Sequence, residues 1–296
     1  MTRHPLFGLA LATFSALVIT PDALFMRISG MEGIQMVGWR GTLMGLVLLT
    51  AWGLTARARA RDLGALASGF GLVIVACQYF NATLFSLSIA AAPVPVVLFG
   101  VATVPVFAAL FARALMGEPT RPATWITIAA VLSGIGIAVF GDAGEDIALN
   151  RAALRGALGG LGVAAVLALN FVVLRARPDL PILLLIGTGA LLAGLTGTAV
   201  TGPAAMSQGT VWAIAVTGLV ILPVSFFGLS LASRYTQAAN VSLLLLLETV
   251  LGPFWVWLGT GAAPTPMMVL GGAVVIVSLA VYLLVTGRRR LQKTTG

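Results

Sequence analysis

Ten apolar stretches, each about twenty residues long, fill this chain, and short segments between them hold nearly all of its charge. They run over about 5–26, 34–54, 63–88, 94–116, 122–140, 152–174, 180–201, 210–232, 239–259 and 265–286. An α-helix needs about twenty apolar residues to cross the hydrocarbon core of a bilayer. In that solvent every backbone N–H and C=O must be paired within the protein, and a helix does this segment by segment. The 296 residues are 59% hydrophobic and 9% charged, whereas a soluble domain carries roughly 25% charged residues. The pattern predicts an all-α polytopic membrane protein with ten transmembrane helices. Pro93, Pro95, Pro122, Pro264 and Pro266 mark helix starts, where a missing N–H costs little. The first stretch continues to Met26 and has a counterpart in the second half, so it reads as a span; a cleaved signal peptide over residues 1–20 is the other reading.

The basic residues fix a direction. With the N-terminus inside, Arg3, Arg57, Arg59, Arg61, Arg113, Arg121, Arg175, Arg177, Arg234, Arg288, Arg289, Arg290 and Lys293 all fall on the inner side. Only Arg27, Arg151 and Arg155 fall outside, and Arg40 lies within a span. This bias predicts cytoplasmic N- and C-termini in a bacterial cytoplasmic (inner) membrane. Trp39, Trp52, Trp212 and Trp257 sit near span ends, as interfacial anchors do.

The chain also echoes itself. Gly117-Glu118-Pro119-Thr120 meets Ala262-Ala263-Pro264-Thr265 at an offset of 145, as does Ser133 with Ser278. Gly8 and Arg27 meet Gly156 and Arg175 at an offset of 148. Two repeats follow, 1–147 (helices 1–5) and 148–296 (helices 6–10), linked by the acidic segment 141–150. Five spans per half is an odd number, so the second half enters the membrane from the opposite side. Inverted repeats of this kind place a substrate site near the midplane and support alternating access. Gly41…Gly45 and Gly156…Gly160 are small-xxx-small patterns, which serve either packing within the chain or a dimer interface.

Other classes fit poorly. The net charge of +8 is spread over short connecting segments, so nucleic acid is not an expected partner. A lone Cys77 and a lone His4 leave neither a disulfide nor a Cys/His metal centre. There is no P-loop, Gly-x-Ser-x-Gly or His-x-x-x-His. The expectation is no enzyme, no metal and no cofactor. No Lys or Arg stands at mid-membrane to clamp a phosphate, which favours a neutral or zwitterionic substrate with an apolar body.

A charge inside a span costs about 2.5–3.5 kcal/mol or more unless paired or hydrated, so Asp22, Arg40 and Glu248 each need a role. Glu248 lies near mid-membrane in the ninth span, with Thr103 as its repeat partner. It can bind a substrate ammonium or carry a proton, or only fix packing. Asp22 and Arg40 lie at similar depths near the outer end of a helical hairpin. Their pairing is either structural or a gate, with Asn170 as the counterpart of Asp22 near the inner end of the sixth span. Gln78, Asn81, Phe85 and Ser88 share one face of the third span, beside Tyr79. Cavity lining and interhelical hydrogen bonding are both open for this strip. Phe14, Phe99, Phe227 and Leu244 are apolar candidates for a cavity wall, or packing residues. Pro21, Pro105, Pro223 and Pro253 lie within spans, as kinks or hinges.

Trp39-Arg40, Gly117-Glu118-Pro119-Thr120, Ser233-Arg234-Tyr235-Thr236-Gln237-Ala238, and Glu248 followed by Gly252-Pro253-Phe254-Trp255 form an ordered set. In order and spacing they resemble the drug/metabolite transporter superfamily, in its ten-helix branch of tandem EamA-type repeats, and its exporters of aromatic amino acids. The resemblance implies a central apolar cavity lined by helices 1, 3, 4, 6, 8 and 9, and outward transport of small metabolites. The second repeat departs from the first in having Ala262-Ala263 for Gly117-Glu118 and no arginine in its second helix. The expected function is export of aromatic or neutral amino acids, or similar metabolites, by a secondary transporter working as a monomer. Protons are a candidate coupling ion. An exporter of drugs or other metabolites with the same fold, and a lipid flippase, are the alternatives.

Overall fold

The computed structural model describes residues 5–117, 122–140, 147–236 and 238–294. All regular structure among them is helical. In chain order the helices are α1 (Phe7–Ser29), α2 (Gly33–Thr55), α3 (Gly69–Ala91), α4 (Val94–Met116) and α5 (Pro122–Phe140). They continue with α6 (Ile147–Ala176), α7 (Ile182–Thr201), α8 (Val211–Tyr235), α9 (Ala238–Thr260) and α10 (Pro266–Thr294). Short helices Arg59–Leu66 and Pro203–Met206 lie in connections.

Among the described residues, seven helical segments are long and apolar enough to cross a membrane: α1 to α4, α7, α8, and α6 from Arg151. Shorter apolar stretches occupy α5 (Trp125–Ala138), α9 (Leu244–Thr260) and α10 (Pro266–Ser278). Phe14, Leu46, Phe80, Ile126, Leu195 and Leu258 are exposed. An apolar exterior around a filled interior is the arrangement that lipid solvates, and the chain is a polytopic membrane protein. The acidic link over 141–146, Glu118–Arg121 and Gln237 lie outside the described residues.

Three helices are interrupted where prolines interrupt their hydrogen bonding. In α1 the break falls at Thr20–Pro21. Pro21 has no N–H to offer the carbonyl of Leu17, and the hydroxyl of Thr20 bonds that carbonyl instead at 2.9 Å. In α4 the break at Ala102–Thr103 precedes Pro105. In α8 a π-helical turn, Thr217–Ile221, precedes Pro223.

The helices pack in a reciprocal pattern. α1 lies on α8, α3 on α6, α2 on α7, α4 on α9 and α5 on α10. The α2–α7 contact is backbone to backbone. A Cβ on Gly41 would stand 2.4 Å from the amide nitrogen of Gly194, and one on Gly194 would stand 2.1 Å from that of Thr42. One turn away, a Cβ on Gly197 would lie 2.4 Å from the amide nitrogen of Gly38. Gly45 abuts Leu191, while Gly156 and Gly160 abut Ala92 and Val97. Both small-xxx-small patterns are thus used inside the chain. Two buried clusters complete the interior: a large one around α1, α3, α6 and α8, and a smaller one between α4, α5, α6 and α10.

Candidate functional site

The breaks in α1 and α8 adjoin a mostly apolar cavity that holds a few polar groups. It is lined by Asp22, Arg40, Gln78, Asn81, Ser86 and Glu248, with apolar walls that include Ile19, Phe85, Leu167 and Phe226. The residues come from α1, α2, α3, α4, α6, α8 and α9. The cavity encloses about 30 Å³, room for about two water molecules.

Asp22 is fully buried and Arg40 nearly so. The Nη2 of Arg40 donates to Oδ2 of Asp22, Nη1 donates to the Ser86 hydroxyl at 3.0 Å, and the guanidinium lies 5.4 Å from the centre of the Phe85 ring. Desolvating such a pair is costly, and close contact with added hydrogen bonds offsets the cost only in part. Two polar atoms of the pair, Oδ1 of Asp22 and Nε of Arg40, are buried without a partner among the described residues. Glu248 is also buried and within electrostatic reach of both. Asp22 is the carboxyl that pairs with the guanidinium, while Glu248 acts on both from a distance.

The other sequence candidates scatter. Gln78 lines the cavity, with its amide nitrogen 3.7 Å from the Met44 sulfur. Tyr79 turns aside, its hydroxyl 3.4 Å from that of Thr196 on α7. Ser88 is buried against Gly159 of α6. Thr103 is buried and bonds the carbonyl of Gly100 at 2.7 Å, within its own helix. Phe99 belongs to the smaller cluster, its ring against Gly272 of α10. Leu244 packs on the large cluster. Phe14 is 57% exposed, turned out to where lipid would lie. Asn170 is buried, and neither amide atom has a partner among the described residues.

Sequence reasoning did not single out Ser86 or Phe226. Ser86 lies five residues beyond Asn81 on the strip's flank, and a lone serine in an apolar helix carries no distinguishing signal. Only its contact with Arg40 reveals it. The contribution of α2 to the cavity was signalled by Arg40 itself, whose charge needs a buried partner.

A second cavity of about 300 Å³ opens at the arginine-rich end of the bundle. Trp52, Asp62, Asp179, Leu183, Phe227 and Arg234 are among its lining residues. Asp62 accepts from the Trp52 indole at 3.0 Å, and Arg234 donates to the carbonyl of Leu180. Hydrogen bonding from Arg177 holds the carboxyl of Asp179 below its ordinary range.

No family model and no curated protein matches this chain. Sixteen chains of solved structures match it. In one of them, a crystal structure described only as that of a protein, the likeness has a TM-score of 0.65 at 19% identity and covers 94% of this chain and 98% of the other. At that identity the likeness establishes a shared fold.

Proposed function

We propose that the chain is a secondary transporter of the drug/metabolite transporter type, with ten helices in two inverted halves. It exports aromatic or other neutral amino acids, or similar small metabolites, across the cytoplasmic membrane by alternating access. The carrying observation is the cavity, where a buried Asp22–Arg40 pair, Glu248 and two amides meet between helices of both halves. A packed membrane protein without a polar ligand has little reason to keep unpartnered polar atoms there. The helix pairing supports the repeat: exchanging helices 1–5 with helices 6–10 turns the α1–α8 contact into the α6–α3 contact and leaves α2–α7, α4–α9 and α5–α10 as self-pairs. Gly117 and Gly261 support it too, ending α4 and α9 with φ of +70° and +74°.

A zwitterion suits this lining, with Arg40 for a carboxylate, Glu248 for an ammonium, and Phe85 and Phe226 for an apolar body. The test is counterflow: labelled phenylalanine outside proteoliposomes that were preloaded with unlabelled phenylalanine. Transient accumulation above equilibrium is the expected result. Its absence, with folded and inserted protein, removes phenylalanine as a substrate.

Glu248→Gln preserves the side-chain shape and removes the ionisable group. A hydrogen bond to a charged group is worth about 1.5–3 kcal/mol, so initial counterflow rates should fall by about tenfold to a hundredfold. Unchanged rates would confine Glu248 to packing.

A further inference from the structure

The break in α1 needs a brace, because Pro21 takes away the hydrogen bond that would continue the helix. Thr20 meets the carbonyl of Leu17 instead, with its amide at 3.3 Å and its hydroxyl at 2.9 Å. The same hydroxyl takes part in a second bond: the indole Nε1 of Trp255, on α9, donates to it at 3.1 Å. An indole N–H only donates, whereas a hydroxyl gives one proton and accepts on its lone pairs. The bond from Trp255 therefore leaves the Thr20 proton to point at Leu17. Thr20 is 3% exposed and is bonded on both sides.

One face of α9 follows α1 across its break. Glu248, Gly252, Trp255 and Gly259 recur at i, i+4, i+7 and i+11, a spacing that keeps them on one side of a helix. Glu248 lines the cavity with Asp22 and Arg40. A Cβ on Gly252 would stand 3.8 Å from the carbonyl oxygen of Thr20, and one on Gly259 would stand 2.3 Å from Cδ1 of Leu24, beyond the break. Both parts of α1 pack on α9. Asp22 comes two residues after Thr20 and opens the outer part of α1, Asp22–Ser29. The direction in which that part leaves the break sets where its carboxylate meets Arg40. A buried pair offsets its desolvation only when that meeting is close and well aimed.

We propose that Trp255 is a positioning residue of the cavity: through Thr20 it fixes the break in α1, and so the place of the Asp22 carboxylate against Arg40. Trp255 and Thr20 themselves lie outside the cavity lining. Their bearing on transport rests on the transporter reading above, but the brace acts on the ion pair whether or not a solute is bound.

The coupling between Asp22 and Arg40 tests the brace. Thermal unfolding in detergent of the unchanged pair, Asp22→Leu, Arg40→Met and the double variant gives that coupling. The set is then repeated in Trp255→Phe, Thr20→Val and Thr20→Ser backgrounds. Trp255→Phe keeps an aromatic ring and loses the N–H, Thr20→Val keeps the shape and loses the hydroxyl, and Thr20→Ser keeps the hydroxyl. One neutral hydrogen bond corresponds to about a twofold to tenfold change in an equilibrium constant. The coupling constant is expected to fall by that much in Trp255→Phe and Thr20→Val and to hold in Thr20→Ser. Lower melting temperatures with unchanged coupling in the first two would overturn the brace, since a bond that only holds the fold leaves the pair alone. An equal fall in Thr20→Ser and Thr20→Val would overturn it too. Should Trp255→Phe fail to fold, the two Thr20 backgrounds decide. Binding of labelled phenylalanine to the wild-type protein is measured separately: its absence removes that solute from the transporter reading, while the coupling still decides the brace.

Discussion

Asp22→Leu and Arg40→Met are each expected to destabilise the protein by about 3–5 kcal/mol, the usual consequence of leaving one member of a buried ion pair alone. Both partners are shut off from bulk water: their side chains are 1% and 5% exposed. Without Asp22, Arg40 would keep its bond to Ser86, its position over Phe85 and the distant carboxyl of Glu248, none of which is a contact ion pair. The double variant Asp22→Leu/Arg40→Met is expected to recover most of the loss, because apolar replacements of a buried pair are often neutral or better. Thermal unfolding of the four proteins in detergent gives the interaction energy directly. Counterflow should follow a different pattern, falling in both single variants and staying low in the double. If the double variant recovers transport along with stability, the pair is scaffolding and has no part in binding or gating.

Much of this molecule was legible because lipid imposes a simple grammar on sequence. Apolar length marked the helices, and the charge of Asp22, Arg40 and Glu248 marked groups that must meet a partner. Depth alone brought Asp22 and Arg40 together, since both sit the same few residues from one hairpin. Outside the strip of Gln78, Asn81 and Phe85, which line one cavity together, what sequence could not supply was rotation about each helix axis. In an amphipathic soluble helix the polar face shows which way a residue points; here most helices are apolar all round. Phe14 and Phe85 are equivalent as letters, yet one is exposed and the other lies under Arg40. Tyr79 sits beside Gln78 and still faces α7, because neighbouring residues in a helix point about 100° apart. Thr103 matched Glu248 in the repeat but spends its hydroxyl on the local break before Pro105.

The second large effect is expected where α2 crosses α7. Gly194→Ala adds one methyl group, but that methyl would stand 2.1 Å from the amide nitrogen of Thr42 and 2.5 Å from the carbonyl carbon of Gly41. Both are backbone atoms, so no side chain can swing aside and the helices must separate. The cost should reach about 3 kcal/mol, the upper end for overpacking, read as a lower melting temperature in detergent. Gly53→Ala is the matched control on α2, since a Cβ there meets nothing within 4 Å. Removing a helical glycine without a clash should stabilise by about 0.5–1 kcal/mol, so the two identical chemical changes are expected to have opposite signs. A larger side chain at position 194 also tests whether the crossing bears on transport. Gly38, Gly41 and Gly45 share α2 with Arg40, and forcing α2 from α7 would shift the guanidinium relative to Asp22 on α1. Transport should therefore fall further in Gly194→Leu than its loss of folded protein accounts for. A proportionate fall would mean that the crossing holds the fold together without setting the geometry of the cavity.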